Sequence, residues 1–301
     1  MTRQFLKIVL FIIFSMGFVK IAFSADRLPV FVSIVPQKYF VQQIGKDRVA
    51  VQIMVQPGAN PATYEPKPRQ MAALSKTKIY FAIGVAFENT WLPKIAATNS
   101  RMKVVRTDQG IEKLAMARHY HKEGEHHGAA VHGEAHPVPA GLDPHIWLSP
   151  PLVKIQARTI LAALQEADPE HRQVYAENFR GFSLRIDRLD ADLKKTFAGR
   201  KGLQFMVFHP SWGYFARTYA LEQVPIEIEG KNPKPAQLKE LIEHARATRI
   251  KVIFTQPQFS IRSAALVARE IGGQVAFADP LAMDWMANLR NVAKKFKLAL
   301  K

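Results

Sequence analysis

Short apolar runs alternate with helical stretches along nearly the whole chain, and this alternation most restricts how it can fold. Leu28–Val35, Val49–Val55, Lys78–Gly84 and Met102–Thr107 read as strands. Helical stretches at Gln37–Ile44 and Glu88–Ala97 and a Pro/Gly-punctuated loop at Gln56–Pro68 separate them. The pattern returns later, with strands at Leu203–Phe208, Val224–Glu229, Lys251–Thr255 and Gln274–Ala278. Helices at Ser211–Ala220, Pro235–Ala247, Ile261–Ile271 and Asp284–Leu300 follow them in turn. Strands reached through helices pair in parallel, so the chain is α/β with mostly parallel sheets. Ser149-Pro150 and Asp168-Pro169 both read as helix starts. From the second, Val174, Phe179, Phe182, Ile186, Leu189, Leu193 and Phe197 recur at helical spacing. About 29 residues at 1.5 Å each gives roughly 43 Å, long enough to connect two lobes. The alternative is an ordinary packing helix, or two helices broken at Gly181. No sequence repeat relates the halves; only their architecture is alike.

The N-terminus reads as an address. Arg3 and Lys7 precede the apolar run Ile8–Val19, which is too short for the ~20 residues that span a bilayer. Ala22, Ser24 and Ala25 follow, as in a secretory signal peptide cleaved near Ser24 or Ala25. The expected mature product is periplasmic, with no stable membrane insertion after cleavage. The remaining 276 or so residues are enough for about two domains.

Composition narrows the chemistry. With 48% hydrophobic and 22% charged residues, wholesale disorder is excluded. Without Cys there is no disulfide framework, no thiolate-held zinc or iron–sulfur cluster and no thiol nucleophile. Any metal must be held by nitrogen and oxygen. Lys and Arg number 42 against 25 Asp and Glu, a balance of +17 that becomes +14 once Arg3, Lys7 and Lys20 leave with the signal. The basic residues are dispersed rather than gathered on one helix or arm, and export argues further against nucleic acid as a partner.

Ligands of open parallel sheets bind beyond the carboxyl ends of the strands. His209 directly follows one predicted strand, Asp279 directly follows another, and His145 lies in Asp143-Pro144-His145-Ile146-Trp147 on the loop before a helix. Two imidazoles and a carboxylate meeting in a cleft suit a divalent transition metal and do not choose between zinc and manganese. Each has an ordinary alternative: a His at a strand end is commonly a hydrogen-bonded structural residue, and Asp-Pro is a common turn device.

The run from residue 119 to residue 136 is of another kind. It holds six of the ten His of the chain (His119, His121, His126, His127, His132 and His136) and three Glu among Gly and Ala. It lacks the apolar content to fold by itself and reads as a flexible, low-specificity metal binder.

Taken together, several motifs carry a resemblance: Val32-Ser33-Ile34-Val35-Pro36, Pro57–Pro66, Gly84-Val85-Ala86-Phe87-Glu88, Asp143–Leu148, Phe208-His209-Pro210, Glu229-Gly230-Lys231 and Ala278-Asp279-Pro280-Leu281. The chain resembles the periplasmic zinc/manganese-binding proteins of ABC importers, the cluster A-I solute-binding proteins of the zinc-uptake type. The His-rich run just before the D-P-H-x-W motif resembles the zinc branch in particular. The resemblance implies two (βα)4 lobes joined by one long connecting helix, with the metal between them. Residues 1–25 would be the signal, 26–168 and 199–301 the lobes, and 169–198 the helix. It implies metal ligands at His145, His209 and Asp279.

It also implies a first His ligand within Pro57–Pro66, and here the chain departs from the pattern. The family's P-G-x-x-P-H-x-Y-E-P reads Pro57-Gly58-Ala59-Asn60-Pro61-Ala62-Thr63-Tyr64-Glu65-Pro66, which puts Ala62 where the His should stand. Water, a His from 119–136 or Glu65 are the substitutes, with the loop His preferred over water and Glu65 read as structural.

The expected function is capture of Zn(II), with Mn(II) or Fe(II) as alternatives, and delivery to a membrane permease by a monomeric, non-enzymatic protein. Two other readings remain open at this point. One is an exported metallohydrolase using the two-His/one-Asp site, with Glu65 or Glu229 as base. The other is a binding protein for haem, siderophore or corrinoid, or an adhesin, of similar architecture.

Overall fold

In a computed structural model, which describes residues 27–116, 141–227 and 231–300, the alternating pattern becomes two separate four-stranded sheets. The first contains β1 (Leu28–Val32), β2 (Val49–Ile53), β3 (Ile79–Ala82) and β4 (Lys103–Arg106) in the order β2-β1-β3-β4. The second contains β5 (Gln204–Val207), β6 (Glu222–Pro225), β7 (Val252–Thr255) and β8 (Gln274–Phe277) in the order β6-β5-β7-β8. Every neighbouring pair is parallel. Each sheet therefore has one switch point, between β1 and β3 and between β5 and β7, where successive connections leave in opposite directions and open a crevice.

The helices are α1 (Val35–Gly45), α2 (Pro68–Leu74), α3 (Ala86–Thr98), α4 (Pro150–Ala167), α5 (Arg172–Phe197), α6 (Gly213–Thr218), α7 (Pro235–Ala247), α8 (Arg262–Glu270) and α9 (Trp285–Ala299). The anticipated long helix is present: a 3-10 turn at Pro169–His171 runs directly into α5. The helix is unbroken at Gly181, and its 26 residues span about 39 Å. Its buried stripe is Tyr175, Phe182, Ile186, Leu189, Leu193 and Phe197. Val174, counted in the sequence pattern, is exposed; Tyr175 takes the inward place and donates from its hydroxyl to Asp168 at 2.5 Å. The predicted strands are each trimmed at one or both ends, and the one predicted at Val224–Glu229 instead begins two residues earlier, as Glu222–Pro225. Helix α2 is new: the sequence pattern had a loop up to Pro68 and assigned nothing after it.

The two lobes share one core. A single buried cluster runs from Phe31, Phe40 and Phe81 of the first lobe through α5 to Phe205, Phe215, Trp285 and Phe296 of the second. Phe40 meets Trp285 edge-on with ring centroids 5.2 Å apart. A smaller cluster, around Met206, Ile253 and Val267, lies under α7 and α8. The signal-peptide reading, the His-rich run and Glu229 all lie outside the described residues.

Candidate metal centre

Two imidazoles stand against each other where the lobes meet. The ring centroids of His145 and His209 are 5.3 Å apart, with the planes inclined at 71°. Sixty-odd residues separate them in sequence, and each arrives by a different local device.

His145 is placed by its own motif. Asp143 Oδ1 accepts from both the backbone N–H of His145 (2.8 Å) and its ring Nδ1 (2.7 Å). Pro144 between them restricts the turn, and a 3-10 turn at Ile146–Leu148 leads on to Pro150, in the first turn of α4. Asp143 is clasped in turn. Its N–H donates to Leu114 O (2.8 Å), and its carbonyl accepts from the Tyr214 hydroxyl of α6 (2.9 Å). The same hydroxyl accepts from Leu114 N–H (2.9 Å). Burial above all pushes the Tyr214 phenol up to about 12, so it remains a donor at neutral pH. Desolvation of buried His145, helped by the neighbouring His209, lowers its pKa in spite of Asp143. A neutral imidazole is the form that binds metal.

His209 sits just past β5, at the β5/β7 switch point of the second sheet. Gln256, just past β7, reaches across that crevice: its Nε2 donates to His209 O (2.7 Å) and to Ser211 Oγ (3.0 Å). Phe259 stacks on the His209 ring at 4.8 Å. The ring Nδ1 lies 2.6 Å from Glu227 Oε1, just beyond β6. An ionised carboxylate only accepts, so each of these two rings presents a proton on Nδ1, and in the neutral form that binds metal Nε2 carries the free lone pair. Neither Nε2 has a hydrogen-bond partner among the described residues.

Asp279, two residues past β8, is held as a turn. Its Oδ1 accepts from Leu281 N–H (2.9 Å) and at long range from Gln258 Nε2 (3.3 Å), and its carbonyl accepts from Asn288 Nδ2 (2.7 Å). No group of three or more His, Asp or Glu is gathered tightly enough to hold a metal ion among the described residues. The structure therefore brings His145 and His209 together and leaves Asp279 outside a ready-made cluster. Glu65 is exposed, as is Ala62, whose N–H donates to Asn60 Oδ1 (2.9 Å) in a local turn. That loop is tied down by Phe87 N–H donating to Pro61 O (3.2 Å) and by buried Tyr64, whose hydroxyl donates to Gln70 Oε1 (2.7 Å). His119, His121, His126, His127, His132 and His136 fall outside the described residues. Of the two remaining histidines, His171 pairs with Asp168 (2.9 Å) and His244 Nε2 with Gln204 (2.8 Å).

The sequence motifs also find each other. Trp147 Nε1–H, from the D-P-H-x-W motif, donates to Pro280 O of the Asp279-Pro280 turn (2.7 Å), and Trp285 Nε1–H donates to Trp147 O (2.7 Å). Sequence reasoning gave no role to Asp143, Glu227, Gln256 or Phe259. Asp143 stood in the loop before a helix, and Glu227 fell inside the strand predicted at Val224–Glu229.

The family model for the periplasmic zinc-uptake complex component A, ZnuA, matches residues 30–299. The high-affinity zinc uptake system protein ZnuA of Bacillus subtilis is 27% identical over 86% of this chain and 80% of its own length. A protein of Treponema pallidum named for metal binding is 31% identical over 83% of this chain and 78% of its own. The crystal structure of a ZnuA is 43% identical, covers 92% of this chain and 100% of its own, and superposes with a TM-score of 0.83. A zinc-bound deletion mutant of ZnuA is 42% identical with a TM-score of 0.82, over 92% of this chain and 99% of its own.

Proposed function

This chain belongs to the family of the periplasmic zinc-uptake complex component A, and on that premise we propose that it captures zinc between its lobes in the periplasm and delivers it to the permease of an ABC importer. Manganese and iron are the competing cargoes; a relative from Yersinia pestis is named as iron-binding. The observation that carries the reading is the facing pair His145 and His209, each with Nδ1 committed to a carboxylate and Nε2 open. Imidazole nitrogen suits zinc, and an ion bound between two loops exchanges without any chemical step.

In this reading residues 26–168 and 199–301 are the two lobes, and 169–198 is the connecting helix. Residues 1–25 are a signal peptide, and the mature protein acts as a monomer without catalysis. Asp279 is the third ligand, recruited when its long contact to Gln258 is exchanged for the metal. The ligand absent at Ala62 is supplied by a histidine of residues 119–136, in preference to water or Glu65. The shared core supports small closing movements rather than a wide hinge.

Calorimetric titration of the metal-free mature chain with Zn(II), Mn(II) and Fe(II) tests this. The expected result is one tight zinc equivalent that disappears in His145→Ala and His209→Ala. Weaker equivalents vanish when residues 119–136 are deleted. Retention of the tight equivalent in the double His variant overturns the site, and unchanged tight affinity in the deletion removes the loop as a ligand donor.

A further inference from the structure

We infer that Glu227 is a positioning residue for the metal centre: its carboxylate fixes the tautomer and orientation of His209 and supplies the buried negative charge that a bound dication balances. The inference rests on the proposed metal-binding role and adds a residue that no motif marked.

Three observations carry it. Glu227 Oε1 is 2.6 Å from His209 Nδ1, and the two side chains are only 5% and 18% exposed. The second oxygen, Oε2, is buried without a hydrogen-bond partner among the described residues. Glu227 is itself anchored, its N–H donating to Phe208 O at 3.0 Å, so the carboxylate is held by the sheet that places His209. A buried carboxylate with one oxygen on an imidazole and the other without a partner is an expensive arrangement, and a buried charge is ordinarily paired. Here no Lys or Arg pairs with it among the described ion pairs. A divalent ion on the far side of the imidazole provides that compensation through the ring. Oε1 meets the ring at Nδ1, on the side away from Nε2.

The chemistry is that of a carboxylate–histidine–metal relay. The hydrogen bond keeps the proton on Nδ1, leaves Nε2 unprotonated, and raises the basicity of the ligand. His145 has the same device in Asp143. The two differ in origin: Asp143 lies two residues from its histidine, whereas Glu227 comes from just beyond the neighbouring strand, 18 residues away.

The test compares Glu227→Ala and Glu227→Gln with His209→Ala in the full mature chain. Zinc affinity is measured by chelator competition, and the ring nitrogens are read by 15N NMR of labelled histidine. Zinc affinity is expected to fall about 10- to 100-fold in Glu227→Ala. Its His209 signal should move from the Nδ1–H form toward a mixture containing Nε2–H. Glu227→Gln keeps an acceptor without the charge and is expected to lose affinity by a smaller factor while retaining the Nδ1–H form. If Glu227→Ala does not fold, the Glu227→Gln affinity decides: equality with wild type overturns the inference. Loss of zinc in His209→Ala together with wild-type affinity and an unchanged tautomer in Glu227→Ala also overturns it, while leaving the metal site intact. Undiminished zinc binding in His209→Ala instead overturns the proposed site itself.

Discussion

One methyl group marks the largest departure of this chain from its family pattern. Ala62 is exposed in a loop whose backbone is already tied by Asn60, Pro61 and Tyr64, so a larger side chain meets no packed neighbour there. Ala62→His is therefore expected to fold normally and to tighten zinc binding by about tenfold or more, roughly 1.4 kcal/mol, as read by chelator competition. Unchanged affinity would mean that this loop does not face the metal. At this scale the candidate ligands His145 and His209 were legible because each lies beside a strand end or motif that a reader of the sequence can see. Glu227 was not. An acid inside a predicted strand looks like its solvent face, and only the burial of Glu227 makes it a partner for His209.

Among the elements, α5 was the most legible, since an apolar stripe repeated along a 26-residue helix is a long-range pattern in sequence. Its Gly181 raised the alternative of a break, but the backbone continues through it, and a Cβ added there would meet only Arg185, at 4.0 Å. Gly181→Ala should therefore stabilise the protein by about 0.5–1 kcal/mol through the unfolded chain and helix propensity. Urea unfolding of the metal-free protein measures it, and destabilisation would show that the helix needs glycine there. Helix α2 escaped notice for the opposite reason. Its seven residues bury only Gln70 and Leu74, too few for a periodic signal. What holds it is tertiary: Gln70 Oε1 accepts from Lys67 N–H (2.9 Å) and the Tyr64 hydroxyl (2.7 Å), while its Nε2 donates to Met54 O (2.6 Å).

Across the whole molecule, the lobes are joined by more than α5. Trp147 and Trp285 exchange indole hydrogen bonds with backbone carbonyls between the His145 motif, the Asp279 turn and α9. Trp285→Phe keeps most of the apolar packing but leaves the buried carbonyl of Trp147 without that donor. A loss of about 1–3 kcal/mol is expected in equilibrium unfolding, and no loss would show that water replaces the indole. Acid should weaken the fold at the start of the connecting helix. Burial raises the Asp168 carboxyl, but hydrogen bonds from Tyr175 and His171 outweigh it and hold its pKa below the ordinary value. A depressed carboxylate stabilises the folded state above its unfolded pKa, and that stabilisation is lost as pH falls through the folded value. The metal-free protein should thus lose stability on acidification below about pH 4, and Asp168→Asn should flatten that dependence. Parallel pH profiles of the two proteins would refute this.

The parallel α/β architecture and the long helix were legible in the chain alone, and so were the residues to be asked about as ligands. Each of these is written in local information: the period of apolar residues, Pro and Asp at element starts, and polar residues just past strands. Only the tertiary structure decided which of those residues meet. His145 faces His209, Glu227 closes on the His209 ring from 18 residues away, and Trp285 reaches Trp147 across 138. It also decided that Asp279 and Glu65 stand apart from any three-group cluster among the described residues. Contacts between distant residues depend on how two sheets and a shared core pack, and packing leaves no periodic trace in one sequence.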